Sequence, residues 1–257
     1  FSLLQQKNAS YWEARRKSRS LEVFARAAAQ VPAYKDFITQ HHVRQKDIQS
    51  YEDFLTLPIT SKKEYIKKYP LQSLMTDGTL RHELTYTSTS GSTGEPTYFA
   101  RSERVDEQGS VIHEMFFRNS PRQGGSTLVI VCFGMGIWIG GLITYEGIKM
   151  LSRRGLPISI ITPGINKTEI FRALKKLSPL YGQTVLYGYP PFVKDIIDEA
   201  PEQGINLKKL HIRISTAAEA FTEEFRKYLG GQTGMKDTSR DIMNIYGTAD
   251  IGAVAFE

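Results

Sequence analysis

The chain has 257 residues, of which 40% are hydrophobic, and a formal net charge of +6 with an isoelectric point of 9.2. This length fits one large domain or two small ones, and no run approaches the roughly 18 apolar residues of a membrane-spanning helix. The basic residues form scattered pairs, which is more typical of solvated helix faces than of a nucleic-acid-binding patch.

The number and spacing of cysteines and histidines argue against an internal disulfide and against a zinc site. Cys132 is the one cysteine, so an internal disulfide is excluded, and a reducing, cytoplasmic location is expected. Cys132 lies within an apolar run, which predicts a buried, inert thiol. The five histidines show no His-x-x-x-His or Cys-His spacing, which disfavours a zinc site, and His113 is expected to be structural.

The first third of the chain has a helical pattern. Residues 11–30 carry apolar side chains at helical spacing, and Val31-Pro32 is expected to end that helix. A second helix is predicted to begin at Ser61, which has capping-box spacing with Glu64, and to end by Pro70.

A hydroxyl-rich and glycine-rich stretch follows at residues 87–97. Its sequence is Thr-Ser-Thr-Ser-Gly-Ser-Thr-Gly-Glu-Pro-Thr. Tyr86 before it and Tyr98-Phe99 after it resemble strand residues, so the stretch is predicted to be a loop between two strands. Glycine frees the backbone, and N–H groups with hydroxyls make a donor surface for phosphate oxygens. A Walker P-loop is excluded because no lysine follows Gly94; a flexible linker remains the alternative.

From residue 127 onward, apolar strands alternate with helices. The predicted strands are residues 127–133, 158–161, 184–187, 210–214, 242–245 and 253–256, and the predicted helices are residues 142–153, 166–178, 191–199 and 222–229. Such alternation predicts an α/β fold, a mainly parallel sheet flanked by helices on both faces. We expect residues 1–85 to form a helical N-terminal segment and residues 86–257 to form the α/β core.

Ligands of such sheets bind beyond the carboxyl ends of the strands. Three predicted strand ends carry distinctive loops, at residues 188–191, 215–219 and 246–250. These loops are therefore candidates for a shared binding site.

Taken in order, these segments resemble the adenylate-forming enzymes, and most closely their phenylacetate–CoA ligase branch. The resemblance spans nearly the whole chain. The segments that carry it are Leu57-Pro58-Ile59-Thr60-Ser61-Lys62 with Tyr69-Pro70, Ser90 to Thr97, Gly140-Gly141-Leu142 to Gly147, Ala217-Ala218-Glu219, and Ile245-Tyr246-Gly247-Thr248-Ala249-Asp250.

The resemblance implies a two-step reaction. A small carboxylic acid attacks the α-phosphate of ATP to give an acyl-adenylate and pyrophosphate, and the thiol of coenzyme A then displaces AMP. The implied cofactors are ATP, Mg²⁺ and coenzyme A. No nucleic-acid or membrane-spanning role is implied, and the basic N-terminal segment could form a homodimer interface.

The resemblance also assigns roles to individual residues. Thr93 and Asp250 are the implied catalytic residues, and Asp250 is the carboxylate nearest the metal. Tyr246 would stack on adenine. The implied nucleotide-binding residues are Ser90, Gly91, Ser92, Thr93, Gly94, Thr97, Ala217, Ala218, Glu219, Tyr246, Gly247 and Thr248.

The acyl pocket is expected after the first core strand. Its candidate residues are Phe133, Met135, Trp138, Tyr145 and Tyr189. Apolar walls here would suit an aromatic ring or an acyl chain. Each residue could equally be an ordinary core residue.

The chain also departs from the family pattern. Asp250 stands where a glutamate is usual, and Ala249 stands where Ser or Thr is usual, which puts the metal geometry in doubt. Glu257 could supply a second acid or be a plain surface residue. The small C-terminal domain of the family is not found before Glu257, so the chain is expected to be the larger domain. The alternatives are a non-catalytic binding domain, or a ligase whose acceptor is an amine or a protein thiol.

Overall fold

The structure, a computed structural model, describes residues 3, 6–80, 83–89, 96–119 and 125–257. The chain divides into two compact units, Phe1–His82 and Glu83–Glu257. Within those described ranges, no helix has both the length and the apolar character needed to cross a membrane.

The first unit is helical. Its α-helices are α1 (Ala9–Gln30), α2 (Pro32–Gln40) and α3 (Tyr51–Phe54). The side chain of Asn8 caps α1 by accepting a hydrogen bond from the Tyr11 N–H at 3.0 Å. Apolar residues of α1 and α2 form its core, namely Phe24, Ala28, Phe37 and Ile38.

One expectation for this unit was wrong and another is confirmed. The predicted helix from Ser61 to Pro70 is a five-residue π-helical turn, Lys62–Ile66, although Ser61 does cap it through the Glu64 N–H at 3.0 Å. The predicted end of the first helix at Val31-Pro32 is confirmed, since α1 ends at Gln30 with Val31 as its C-cap, and Pro32 then begins α2. A proline is well tolerated there, where no helical N–H bond is lost.

The second unit begins with a hairpin and continues as alternating strands and helices. Its strands and helices are β1 (Thr85–Ser88), β2 (Tyr98–Arg101), α4 (Glu103–Asn119), β3 (Thr127–Cys132), α5 (Ile139–Arg153), β4 (Ile158–Ile161), α6 (Lys167–Lys176), β5 (Gln183–Gly188), α7 (Pro190–Glu199), β6 (Ile212–Ala217), α8 (Glu223–Thr233), α9 (Thr238–Asp241), β7 (Ile242–Thr248) and β8 (Gly252–Phe256). The two strands predicted around the hydroxyl-rich loop are confirmed as the antiparallel pair β1–β2.

Six strands form one sheet in the order β4-β3-β5-β6-β7-β8. All neighbouring pairs are parallel except β7–β8, which is antiparallel. The predicted mainly parallel α/β sheet flanked by helices is therefore confirmed.

Alternate side chains of β3 point to opposite faces of the sheet and pack into two separate cores. Leu128 and Ile130 pack on the face covered by α6, α7 and α8, in a core with Ile170, Ile196 and Leu229. Val129 and Val131 pack on the face covered by α4 and α5, in a core with Phe116, Phe117, Ile148 and Leu151. Burial on both faces explains why β3 is apolar throughout.

Strand β6 lies further along the chain than predicted. The expected strand was residues 210–214, whereas β6 is Ile212–Ala217. Leu210 instead follows a 3₁₀ turn, and His211 has a left-handed φ of 50°. Ser215 and Thr216 are fully buried within the strand although both are polar.

Candidate active site

The carboxyl ends of β6 and β7 border a cavity of about 500 Å³, which we call the carboxyl-edge cavity. It is lined by Ala218, Glu219, Ala220, Asn244, Ile245, Tyr246, Gly247, Ala255, Phe256 and Glu257. Two of the segments expected to hold a nucleotide thus meet at one site, through Ala218 and Glu219 and through Tyr246 and Gly247. Ala217 ends β6 and packs against the sheet core, outside the cavity lining. The volume lies within the usual range for small-molecule sites.

The turn after β6 has a strained backbone. Ala218 has a φ of 80°, which lies in the left-handed region that residues with a Cβ rarely adopt. Such strain persists only where surrounding contacts enforce it, and it is common at ligand sites.

Asn244 of β7 supplies one of those contacts. Its Nδ2 donates to the carbonyl oxygen of Glu219 at 3.1 Å, and its Oδ1 accepts from the Thr216 hydroxyl at 3.1 Å. One amide side chain therefore joins β6, β7 and the Ala218 turn. The sequence analysis missed Asn244, although a polar residue within an apolar strand was a usable signal.

Tyr189 contributes a second contact from the neighbouring loop. Its hydroxyl donates to the carboxylate of Glu219. Because the neutral hydroxyl is the donor, this bond raises the pKa of Tyr189 above its ordinary value. Tyr189 was expected to line the acyl pocket, and the structure places it beside Glu219, a residue that lines the carboxyl-edge cavity.

Strand β7 presents Tyr246 near its carboxyl end, because the strand continues to Thr248, past the predicted end at residue 245. Its side chain is 66% exposed, so a flat aromatic surface is available beside the cavity. Gly247 needs to be glycine, because a Cβ there would lie 2.7 Å from the carbonyl oxygen of Gly252. The β7–β8 pairing therefore holds Tyr246 close to the strand end.

Asp250 lies in the turn between β7 and β8 and is not among the residues that line the cavity. Its carboxylate accepts from the Thr248 hydroxyl, which in turn accepts from the Ile251 N–H at 3.2 Å. Within the described ranges, no group of three or more His, Cys, Asp or Glu side chains could hold a metal ion. An oxygen-only donor set with one exposed carboxylate fits Mg²⁺, which takes one or two carboxylates plus water and phosphate oxygens.

Most of the predicted phosphate loop lies outside the described residues, including Ser90, Gly91, Ser92, Thr93 and Gly94. The base of the loop is described. The Thr89 N–H donates to the Thr97 carbonyl, and the Thr97 N–H donates to the Thr89 hydroxyl, both at 3.1 Å. The backbone of Thr97 therefore closes the base of the loop. Its N–H donates to Thr89 and is not available to donate to a phosphate oxygen.

Contacts at both ends hold the β1–β2 hairpin on the sheet. At the loop end, the Ser88 N–H donates to the Ile137 carbonyl at 3.0 Å, just beyond β3. At the other end, buried Arg101 pairs with Asp106 at 2.9 Å and lies against Gly252 of β8. The hairpin is thus fixed to both the segment after β3 and the strand that borders the cavity.

Three other predicted acyl-pocket residues cluster around the glycines that follow β3, not at the carboxyl-edge cavity. Phe133 is buried against Gly140, Met135 approaches Gly141, and Trp138 covers Gly134 while remaining 44% exposed. Tyr145 of α5 accepts a hydrogen bond from Lys149 at 2.8 Å. The structure brings Phe133, Met135 and Trp138 into one neighbourhood.

Three further residues of the sequence analysis have defined surroundings. Cys132 is buried, as predicted, and burial raises the pKa of its thiol. His113 is also buried, and burial lowers its pKa to about 4. Glu257 lines the cavity and pairs with buried Arg226 at 2.5 Å, so its negative charge is offset.

Comparison with protein-family models gives no match for this sequence, and comparison with the sequences of curated proteins gives none. Solved structures do match the fold. The structure of 2-hydroxyisobutyryl-CoA ligase with 2-HIB-AMP and CoA in the thioesterification state matches 94% of this chain, with a TM-score of 0.74 and 17% identity. The open conformation of that ligase matches 90% of the chain, with a TM-score of 0.70 and 17% identity.

These matches cover 50% and 52% of the ligase chains, so this chain spans about half of their length. An identity of 17% establishes a common fold and nothing finer. The chain therefore shares its mainly parallel α/β fold with about half of the length of each of these 2-hydroxyisobutyryl-CoA ligase chains.

Proposed function

We propose that this chain binds ATP at the carboxyl-edge cavity and forms part of an AMP-forming acid–thiol ligase. The observation that carries the proposal is the meeting of two predicted turns in one cavity, through Ala218 and Glu219 and through Tyr246 and Gly247. The resemblance to adenylate-forming enzymes had assigned both turns to the nucleotide. The shared fold with a ligase whose structures contain an acyl-AMP and CoA supports the same reading.

In the proposed reaction, a carboxylate oxygen of the acid attacks the α-phosphorus of ATP, and pyrophosphate leaves. The sulfur of a thiol then attacks the acyl carbon, AMP leaves, and the thiol proton passes to solvent. The exposed ring of Tyr246 would flank adenine, and the backbone of residues 217–219 would line the nucleotide. Hydroxyl and N–H groups of Ser90 to Thr93 would donate to the phosphate oxygens.

Asp250 would hold Mg²⁺, which would offset negative charge on the triphosphate when bound. Thr248 orients this carboxylate through its hydroxyl. Thr93 of the phosphate loop is the second proposed catalytic residue.

The acid is proposed to lie against the apolar residues that follow β3. Phe133, Met135 and Trp138 supply aromatic and thioether surface there. This surface suits an aryl or acyl group, in keeping with a phenylacetate–CoA ligase-like branch. Coenzyme A is the proposed acceptor, and pyrophosphate release measured across thiol and amine acceptors would identify it.

Calorimetric titration with ATP and Mg²⁺, and with a non-hydrolysable acyl-adenylate mimic, tests nucleotide binding. Tyr246→Ala should weaken binding by about tenfold or more, because stacking on an aromatic ring is worth about 1–3 kcal/mol per base. Tyr228→Ala is the matched control, since Tyr228 is an exposed tyrosine of α8 outside the cavity. An equal loss of ATP affinity in the two variants, or no ATP binding by the unaltered chain, would contradict the proposal.

A second candidate is a nucleotide-binding domain without catalysis. The hydrogen bond from Thr248 to Asp250, and the position of Asp250 outside the cavity lining, favour it. Exchange of radiolabelled pyrophosphate into ATP, dependent on an added carboxylic acid, separates the two. Exchange supports the ligase, whereas ATP binding without exchange for any acid in a broad panel supports the second candidate.

A further inference from the structure

A different cavity of about 400 Å³ lies at the opposite edge of the sheet, where β5 and β6 begin. We call it the amino-edge cavity. The lining residues that matter here are Gln183, Lys208, Arg213, Gly234, Lys236 and Asp241. None of them lines the carboxyl-edge cavity.

Positive charge is in excess around the amino-edge cavity. Among the described lining residues, Lys208, Lys236 and Arg213 are cationic and Asp241 is the one carboxylate. Asp241 is already paired with the Arg213 Nε at 3.1 Å. Neither lysine has an ion-pair partner within the described part of the chain, so the cavity should concentrate anions.

Two buried side chains of the wall have unused hydrogen-bonding atoms. Arg213 donates from Nη2 to the Phe116 carbonyl at 3.0 Å, whereas its Nη1 has no partner among the described residues. Gln183 donates from Nε2 to the Thr127 hydroxyl at 2.7 Å, whereas its Oε1 has no described partner. Only 3% of Arg213 and 5% of Gln183 are exposed. Such unpaired buried groups call for an explanation, and a bound polar group or a buried water beside them supplies one.

Lys208 connects the amino-edge cavity to an adjoining one. The adjoining cavity measures about 390 Å³, and its lining includes Lys208 with the apolar residues Ile197, Ile205 and Leu207. The alkyl chain of Lys208 lies against Gly234, where an added Cβ would be 3.0 Å from the Lys208 Cγ. A cationic cavity therefore lies beside a partly apolar one, with the Lys208 side chain at their boundary.

We propose that the amino-edge cavity binds a phosphate monoester. Its phosphate would lie between the amines of Lys208 and Lys236, and its organic group would extend into the adjoining cavity. Phosphate oxygens accept from the lysines and from arginine, while a protonated oxygen can donate to an amide oxygen such as that of Gln183. This site would be separate from the proposed nucleotide site.

The alternative is that Lys208 and Lys236 only stabilise the fold. Helix α8 ends at Thr233 beside the cavity, and its last carbonyl groups carry partial negative charge that nearby cations offset. In that case, removal of the lysines would lower stability, and no anion would bind at the cavity.

Calorimetric titration with inorganic phosphate and with phenyl phosphate, at constant ionic strength, tests the proposal. Phenyl phosphate should bind more tightly than inorganic phosphate. In NMR spectra, the amide resonance of Gly234 should shift on addition of either compound. The double variant K208Q/K236Q should weaken binding by about tenfold or more, because two charge-assisted bonds are lost.

The matched control is K175Q/K176Q, which removes the same charge from exposed positions of α6. It should leave the affinity unchanged. Absence of phosphate and phenyl phosphate binding, or an equal loss in both double variants, would overturn the proposal. Tyr246→Ala should retain phenyl phosphate affinity, so this test is independent of the nucleotide proposal.

Discussion

Ala218 is the residue at which the candidate site has a strained backbone. Its φ of 80° is costly because the Cβ of an L-residue crowds the following carbonyl. The Asn244 amide and the Tyr189–Glu219 hydrogen bond hold the turn in place against that cost. The site therefore depends on contacts from two neighbouring segments, not on the turn alone.

Ala218→Gly should raise the free energy of unfolding by up to about 1 kcal/mol, because relief of strain exceeds the extra entropy of the unfolded glycine. Ala255→Gly is the control. Ala255 lies in β8 outside the left-handed region, so the same change should lower stability by about 0.5–1 kcal/mol. Urea unfolding measures both. Equal destabilisation by the two changes would show that the Ala218 turn is not strained.

Buried His113 makes the free energy of unfolding depend on pH. Burial lowers its pKa from 6.5 to about 4, so the folded chain keeps it neutral while the unfolded chain takes up a proton. Stability from this residue is therefore fully present above about pH 6.5 and is lost as the pH falls towards 4, by about 1 kcal/mol per pH unit.

His113→Gln should flatten the fall in the free energy of unfolding between pH 6.5 and 4 relative to the unaltered chain. Urea unfolding at several pH values gives the comparison. Parallel curves for the two proteins would mean that His113 does not titrate differently on unfolding.

The β1–β2 hairpin depends on one buried ion pair at the scale of the element. Arg101 is 3% exposed and pairs with Asp106, the fourth residue of α4. Because Arg101 also lies against Gly252, the pair connects the hairpin, α4 and β8. A short hairpin has little core of its own, so this connection should decide how firmly the phosphate loop is presented.

Asp106→Ala should lower the free energy of unfolding by about 3–5 kcal/mol, since it leaves a buried guanidinium without its partner. The double variant R101L/D106L removes both charges and should be less destabilised than D106A. Urea unfolding of the three proteins tests this. If the double variant is no more stable than D106A, the packing of the Arg101 side chain, and not its charge, accounts for the loss of stability.

At the scale of the whole molecule, the chain consists of two compact units. The two cores of the sheet and all residues of the carboxyl-edge cavity lie within residues 83–257. A unit with its own core should fold alone.

Residues 83–257 expressed alone should unfold in one cooperative transition and bind ATP with an affinity within about threefold of the full chain. Circular dichroism during urea unfolding and calorimetric titration provide the measurements. Aggregation, or loss of cooperative unfolding, would show that residues 1–82 are needed for this unit to fold.

The differences between sequence prediction and structure have local causes. Residues 210–214 resembled a strand because apolar side chains alternate there, yet Leu210 completes a turn and β6 continues through buried Ser215 and Thr216. Their polarity suggested a loop. Burial of a hydroxyl depends on neighbours from other strands, which a single segment does not reveal.

By itself, the sequence determined the alternation of strands and helices, the buried β3 strand, and the glycine-rich and hydroxyl-rich loops at strand ends. These follow from periodicity and residue type, which act within a few positions of the chain. Only the tertiary structure decided the strand order, the meeting of the Ala218 turn with Tyr246, the bonds of Asn244 and the cationic cavity at the amino edge. Those features arise from pairing between segments far apart in the chain, where packing and hydrogen bonding select one arrangement among many that the local pattern permits.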